Sequence, residues 1–438
     1  MKNALKILLL LSAATLFGFE APKAPLQSAM LGAADMRQAS IWLNGAENSV
    51  LTVKVFKDGF SKNYAVALDE FGIGKKNLWG LEPNNEYNYE ILDAKGGVLF
   101  AGKLKTSPDY LTRTPPPDFS IAVFGKCHTN EALYDEAYKT PGGEYEIFGA
   151  ALAKKPQAVI WAANADTLRT ADLGSRGGYF SRFIHSRKQK ECLPLLTAVQ
   201  NIGIMAQNAY AVEKADKTSF SKGIAQDAFK AFWPNPTFGD ENTPDNTMRT
   251  CFRYGDAEFF VVDDCSQKDN IEYNKKKREF LGRTQLNWLK QSLKASTANF
   301  KIVVMNTPVC NPAESFENFT MAKNEKNEFF DFVQREKISG LVFVSANKNY
   351  GEISRMVRAG AYPVFDITAG PTTARPAESA KELNYFRVPA SGVFKRSFVL
   401  LNFSGKESAR CLTVKFFDSK GAELFSQKID LSDISAFN

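Results

Sequence analysis

Between residue 26 and about residue 106 the apolar residues fall in short runs that alternate with polar ones. The runs are Ala39–Leu43, Val50–Val55, Tyr64–Leu68, Tyr87–Ile91 and Val98–Ala101. A period of two predicts strands with one buried face, and Asp58-Gly59, Pro83-Asn84-Asn85 and Gly96-Gly97 supply the turns between them. The pattern changes at Phe119. Continuous apolar runs at Ser120–Phe124, Val159–Trp161, Ile202–Met205, Phe259–Val262, Phe300–Met305 and Leu341–Val344 predict buried strands. Helical spacing predicts helices over Glu144–Lys154, about Cys192–Gln200, Thr284–Ala295 and Asn324–Glu336. Strands alternating with helices imply an α/β unit with a covered sheet. The tail returns to strands at Phe398–Phe403 and Leu412–Phe417, and a turn at Ser419-Lys420-Gly421 leads on to Leu424-Phe425. The expected division is a β domain over 26–108, a linker over 109–118 stiffened by Pro115, Pro116 and Pro117, and an α/β domain over 119–438.

Composition narrows the class. The 438 residues suffice for two or three domains, and 35 Phe point to an aromatic-rich core. A net charge of +7 is mild for this size, and Lys275-Lys276-Lys277-Arg278, the longest basic run, reads as a solvated face. No nucleic-acid partner is expected. Residues 1–18 read as an export signal, with Lys2 and Lys6 before the apolar run Ile7–Phe17 and cleavage near Gly18 or Ala21. That run is too short to cross a bilayer, and no transmembrane segment is expected elsewhere. The mature chain is therefore expected in the periplasm or outside the cell. An oxidising compartment would permit disulfides among its six Cys. In a hairpin turning at Gly255-Asp256, Cys251 would face a residue near 260. Cys265 would then overhang by about five residues, on the order of 15 Å, too far to bridge.

Two resemblances follow from longer segments. Leu81-Glu82-Pro83-Asn84-Asn85-Glu86-Tyr87-Asn88-Tyr89 resembles the tyrosine-corner segment of fibronectin type III and immunoglobulin-like domains. Three later segments carry the second resemblance. They are Trp161-Ala162-Ala163-Asn164, Met205-Ala206-Gln207-Asn208-Ala209 and Ser345-Ala346-Asn347-Lys348-Asn349-Tyr350. Framework phrases accompany them: Phe124-Gly125-Lys126-Cys127-His128, His185-Ser186-Arg187, Phe229–Pro236, Val261-Val262-Asp263-Asp264 and Leu281–Leu289. Together they resemble the PhoD-like alkaline phosphatase family of metallophosphoesterases. The resemblance implies an α/β metallophosphatase-like sandwich. An N-terminal fibronectin- or immunoglobulin-like β-sandwich would precede it, and the C-terminal segment would be β-rich. It also implies a site for two metal ions such as iron, calcium or zinc.

The ligand positions depart from that family. Where it has Asp, this chain has Asn164 and Gln207; where it has His, this chain has Asn208 and Asn349. Cys127 alone keeps its ligand type. Hard cations need anionic oxygens and imidazole nitrogens, and an amide offers one neutral oxygen. Asn208 also lacks the imidazole expected to protonate a leaving group, worth roughly 10²–10⁴ in rate. The expected site is thus a degenerate pocket of Cys127, Asn164, Gln207, Asn208 and Asn349. Lys126, His128, Asp263, Asp264 and Lys348 lie beside it. Lys126 and Lys348 would fill vacated space, hold an anion such as phosphate, or face solvent. Asp263 and Asp264 would satisfy backbone donors, and Cys127 also reads as an ordinary buried thiol. The expectation is an exported pseudo-phosphatase that needs no cofactor and acts by binding an unknown ligand or protein. The alternatives are a divergent phosphomonoesterase or phosphodiesterase with a reduced metal site, or a thiol enzyme using Cys127 beside His128.

Overall fold

The structure, a computed structural model, describes residues 22–109, 116–131, 135, 141–165, 167–211, 215–240, 245–272 and 277–436. The predicted export signal, most of the proline linker, Asp166, Lys275 and Lys276 lie outside the described residues.

The N-terminal unit has seven strands: β1 (Ser28–Ala34), β2 (Gln38–Asn44), β3 (Val50–Lys57), β4 (Phe60–Ala67), β5 (Ile73–Trp79), β6 (Glu86–Leu92) and β7 (Val98–Lys105). They form two antiparallel sheets, β1-β2-β5 and β4-β3-β6-β7. Alternation works as the sequence predicts: Leu51, Val53 and Val55 of β3 and Tyr87, Tyr89 and Ile91 of β6 point into a core shared by both sheets. Glu82 N donates to the Tyr87 hydroxyl at 2.8 Å, tying the approach to β6 back onto its own strand.

Strands β1 and β5 escape the sequence reading for identifiable reasons. β1 is buried on both faces, so it shows no alternation. Leu31 joins the N-terminal core, and Met30 joins a second core with Trp42, Trp161 and Trp233. β5 carries Lys75 and Lys76 in its middle, yet Lys75 Nζ is drawn in to donate to Trp233 O at 3.3 Å.

The second unit begins with β8 (Phe119–Phe124). It continues through α1 (Ile147–Ala153), β9 (Ala158–Trp161), α2 (Arg176–Arg187), α3 (Leu193–Ala198), β10 (Gln200–Gly203), α4 (Gln207–Tyr210), α5 (Lys222–Phe232), β11 (Thr250–Tyr254) and β12 (Ala257–Val261). Then come α6 (Arg283–Ala295), β13 (Phe300–Val304), α7 (Lys323–Arg335), β14 (Leu341–Ser345), β15 (Glu352–Met356) and β16 (Val364–Thr368). Strands β17 (Ser397–Ser404), β18 (Cys411–Asp418) and β19 (Glu423–Asp430) close the chain.

Two six-stranded sheets result, β10-β9-β8-β17-β18-β19 and β11-β12-β13-β14-β16-β15. They pack face to face around residues such as Val123, Ile160, Val261, Val304, Val344 and Leu401. The β-rich tail is therefore half of the first sheet, with β17 antiparallel to β8. Helices α2 and α5 were not expected. Arg182 and Arg187 of α2 are buried, which blurs its polar and apolar faces. The hairpin of β11 and β12 sets Cys251 against Phe260, and all six Cys are free thiols.

Candidate functional site

Strands β8, β9 and β10 run parallel in one sheet, and β12, β13, β14 and β16 run parallel in the other. The loops at their carboxyl ends meet, and ligands in open α/β sheets bind at such ends. Lys126, Cys127 and His128 follow β8, Asn164 follows β9, and Gln207 and Asn208 follow β10. Asp263 and Asp264 follow β12, and Lys348 and Asn349 follow β14.

The centre of this meeting is a residue that the sequence reading missed. Asn306 N donates to Asp264 Oδ1 at 2.9 Å, and its Nδ2 donates to Ala162 O at 3.0 Å. Its Oδ1 accepts from Gln207 N at 3.1 Å, and its backbone oxygen accepts from Ala346 N at 3.2 Å. One side chain and its peptide thus tie together the loops after β9, β10, β12 and β14. The only local signal is a polar residue ending the β-branched run of β13.

Cys127 and Asn208 are bridged by Thr167. The Thr167 hydroxyl donates to Cys127 O at 3.0 Å and accepts from Asn208 Nδ2 at 3.2 Å. Asn164 sits in the left-handed region at φ 63°, which Asn tolerates better than most residues. Its Oδ1 accepts from Ala165 N at 2.6 Å, and its buried Nδ2 has no hydrogen-bond partner among the described residues. Lys126 Nζ donates to Asn349 Oδ1 at 3.4 Å, joining the loops after β8 and β14. Gly125 allows the first of these loops to pass: a Cβ there would lie 1.9 Å from Gly370 O.

The two aspartates are wholly buried. Asp263 accepts from Met248 N, Ser266 N and the Ser266 hydroxyl at 2.5–3.0 Å. Asp264 accepts from Asn306 N and Thr307 N at 2.9 and 2.7 Å. Burial pushes both carboxyls up, that of Asp264 to about 6. Their oxygens are engaged by the protein's own donors.

His128 is held by a buried charge network. Arg169 Nη2 donates to His128 Nε2 at 3.0 Å and to Asp135 Oδ2 at 2.6 Å. A guanidinium can only donate, so that imidazole nitrogen is an acceptor and the ring is neutral. Burial, then the Arg169 charge, pushes its pKa down to about 4. The lone pair a general base would use at Nε2 is occupied, which removes the ground for pairing His128 with Cys127 as a thiol enzyme.

Lys348 is not solvent-facing and is not open to an anion. Its Nζ donates to Glu352 Oε1 at 3.0 Å and also to Glu382 and the Tyr350 hydroxyl, inside the fold. Burial works against the ionised form of Glu352, but Lys348 and Arg387 outweigh it and keep its carboxyl low. A second buried lysine was missed altogether. Lys268, fully inaccessible, donates to Gln207 Oε1 at 2.6 Å and to Glu317 Oε1 at 2.5 Å. A lone Lys after a strand carries no signal in sequence.

The donor set does not fit a pair of metal ions. The amide oxygens of Gln207 and Asn349 already accept from ammonium groups, Asp263 accepts from four N–H and O–H donors, and each oxygen of Asp264 accepts from a backbone N–H. Among the described residues no group of three or more His, Cys, Asp or Glu is placed to hold a metal ion. No helix among them is long and apolar enough to cross a membrane.

A solved structure described as "Structure of PhoD" is 15% identical, with a TM-score of 0.72, covering 96% of this chain and 93% of that chain. The fibronectin type-III domain of human fibronectin type III domain containing protein 3 is 14% identical and covers 22% of this chain and 94% of that chain, with a TM-score of 0.17. No curated protein matches the chain. A family model for the PhoD-like phosphatase matches residues 205–393. The chain thus has the fold of PhoD along almost its whole length, and its segment 205–393 is similar to the PhoD-like phosphatases.

Proposed function

We propose that this chain is a non-catalytic relative of the PhoD-like phosphatases, working by binding after export rather than by metal-dependent hydrolysis. PhoD-like phosphatases use metal ions to activate water and to clamp the phosphoryl group. The observation that carries the reading is the state of the motif amides: the Gln207 and Asn349 oxygens accept from Lys268 and Lys126. A two-metal mechanism needs those positions to be anionic or imidazole ligands with room for a cation. The Ig- or fibronectin-like unit over 26–108 and the rim around Lys126 are the surfaces that binding would use, the latter for an anion such as phosphate.

One preparation tests the reading. Protein purified without chelator is analysed for metals, then assayed on a phosphomonoester and a phosphodiester with iron, calcium or zinc added. The expected result is well under one equivalent of tightly held metal and no turnover above buffer. Near-stoichiometric metal that survives dialysis, together with turnover, would overturn it in favour of a divergent phosphoesterase.

A further inference from the structure

Lys268 carries a positive charge in a place closed to water. Burying an ammonium costs several kcal/mol unless it is paired and hydrogen-bonded. Here it is paired, to Gln207 Oε1 at 2.6 Å and Glu317 Oε1 at 2.5 Å. Its field also reaches Asp264 and Asp216, helping each to ionise. Its backbone oxygen accepts from Lys217 N at 2.9 Å, so the lysine is anchored at both ends.

Charge balance connects these partners. A carboxylate at position 207 beside Glu317 would call for an external cation of higher charge. An amide at 207 leaves one carboxylate in direct contact, which a single ammonium neutralises. We propose that Lys268 is the resident cation of this site. In this reading its ammonium does for the loops after β10 and β12, and for the segment bearing Glu317, what a divalent ion does in a two-metal phosphatase. The inference rests on the non-catalytic reading and adds a specific residue to it. An ion covalently attached to the chain cannot be removed by a chelator, so the site would be stable without metal.

The test compares thermal unfolding of wild type and Lys268→Ala, each with and without millimolar manganese or calcium chloride. Wild type is expected to melt at the same temperature in all conditions. Lys268→Ala is expected to melt several degrees lower and to regain part of that loss with manganese or calcium, because a ligand that binds only the folded state stabilises it. A variant that melts within a degree of wild type would overturn the proposal. So would a loss that neither ion recovers, which would leave Lys268 an ordinary buried ion pair. So would a wild type as responsive to the ions as the variant. Should Lys268→Ala fail to fold, Lys268→Met is measured with and without the same ions; a loss that neither ion recovers would overturn the proposal in that variant too. Turnover of phosphoesters by wild type would defeat the non-catalytic reading instead, and these melting measurements do not depend on that outcome.

Discussion

At the scale of single residues, the meeting of the loops depends on groups whose partners are far away in sequence. Asn306 exchanges hydrogen bonds with Ala162, Gln207, Asp264 and Ala346. Replacing its side chain by a methyl group would leave the Gln207 N–H and the Ala162 carbonyl without that partner inside the protein. Each buried orphan costs about 1–3 kcal/mol. Asn306→Ala should therefore lower stability by roughly 2–6 kcal/mol, read from denaturant unfolding. Asn208→Ala, which removes the amide's bond to the Thr167 hydroxyl, should cost about 1 kcal/mol. Equal losses at the two positions would show that Asn306 is not the centre of the loop contacts. Asn208 could be picked out in sequence because it interrupts a recognisable motif. Asn306 could not, because its role exists only once strands from two sheets deliver their loops to one place.

Between elements, the clearest long-range contact is a cap passed from one helix to another. Glu325, on α7, accepts from Phe280 N, Leu281 N and Gly282 N at 2.6–3.2 Å, at the start of α6. Helix N-termini leave backbone donors unsatisfied, and here a carboxylate borrowed from the neighbouring helix takes them up. Burial nonetheless pushes its carboxyl up to about 7. A carboxyl raised on folding binds its proton more tightly in the folded chain. Its contribution is complete below the unfolded pKa of about 4.3 and is lost as the pH rises through about 7. Glu325→Gln cannot titrate. Its stability deficit against wild type should therefore shrink between roughly pH 4 and pH 8, as followed by melting temperature. A deficit that is constant or grows would contradict the raised pKa.

Helices α6 and α7 themselves were legible to within a residue or so, because each has one apolar face against one sheet. Helix α2 and strands β1 and β5 were not legible. Helix α2 buries charged groups, β1 is buried on both sides, and β5 leaves its middle residues Lys75, Lys76 and Asn77 exposed, so none of them shows a single hydrophobic period.

Across the whole molecule, the two units share a core. Met30 and Trp42 of the N-terminal unit pack with Trp161, Phe180, Phe232 and Trp233 of the second. The rings of Trp42 and Phe232 lie 5.6 Å apart, and the Arg187 guanidinium stands 5.6 Å from the Trp42 ring. Tyr89 also reaches across, its hydroxyl donating to Thr197 O at 2.9 Å. Loosely joined domains unfold separately, whereas units that share buried aromatic area are energetically coupled. Calorimetry of the full chain should therefore show one unfolding transition. Two resolved transitions would mean that this shared core contributes little. The order of the chain, a β unit followed by an α/β unit, was readable from hydrophobic periods alone. The joint between them was not, since the residues that form it look like ordinary core on either side.

That joint also decides what the outermost strand of the first sheet presents to its surroundings. β10 ends the ladder, and an unpaired strand end is a template for other chains. Here the Asn235 amide group donates to Gly203 O and accepts from Gly203 N, copying the bonds of a missing neighbour. The Gln200 side chain accepts from Ala34 N, and Asn201 Nδ2 donates to Leu31 O, so β1 covers the rest. The N-terminal unit is consequently more than an appended module. It covers the edge that β10 would otherwise offer to another strand. A shortened chain without it would keep every motif residue and lay that edge bare.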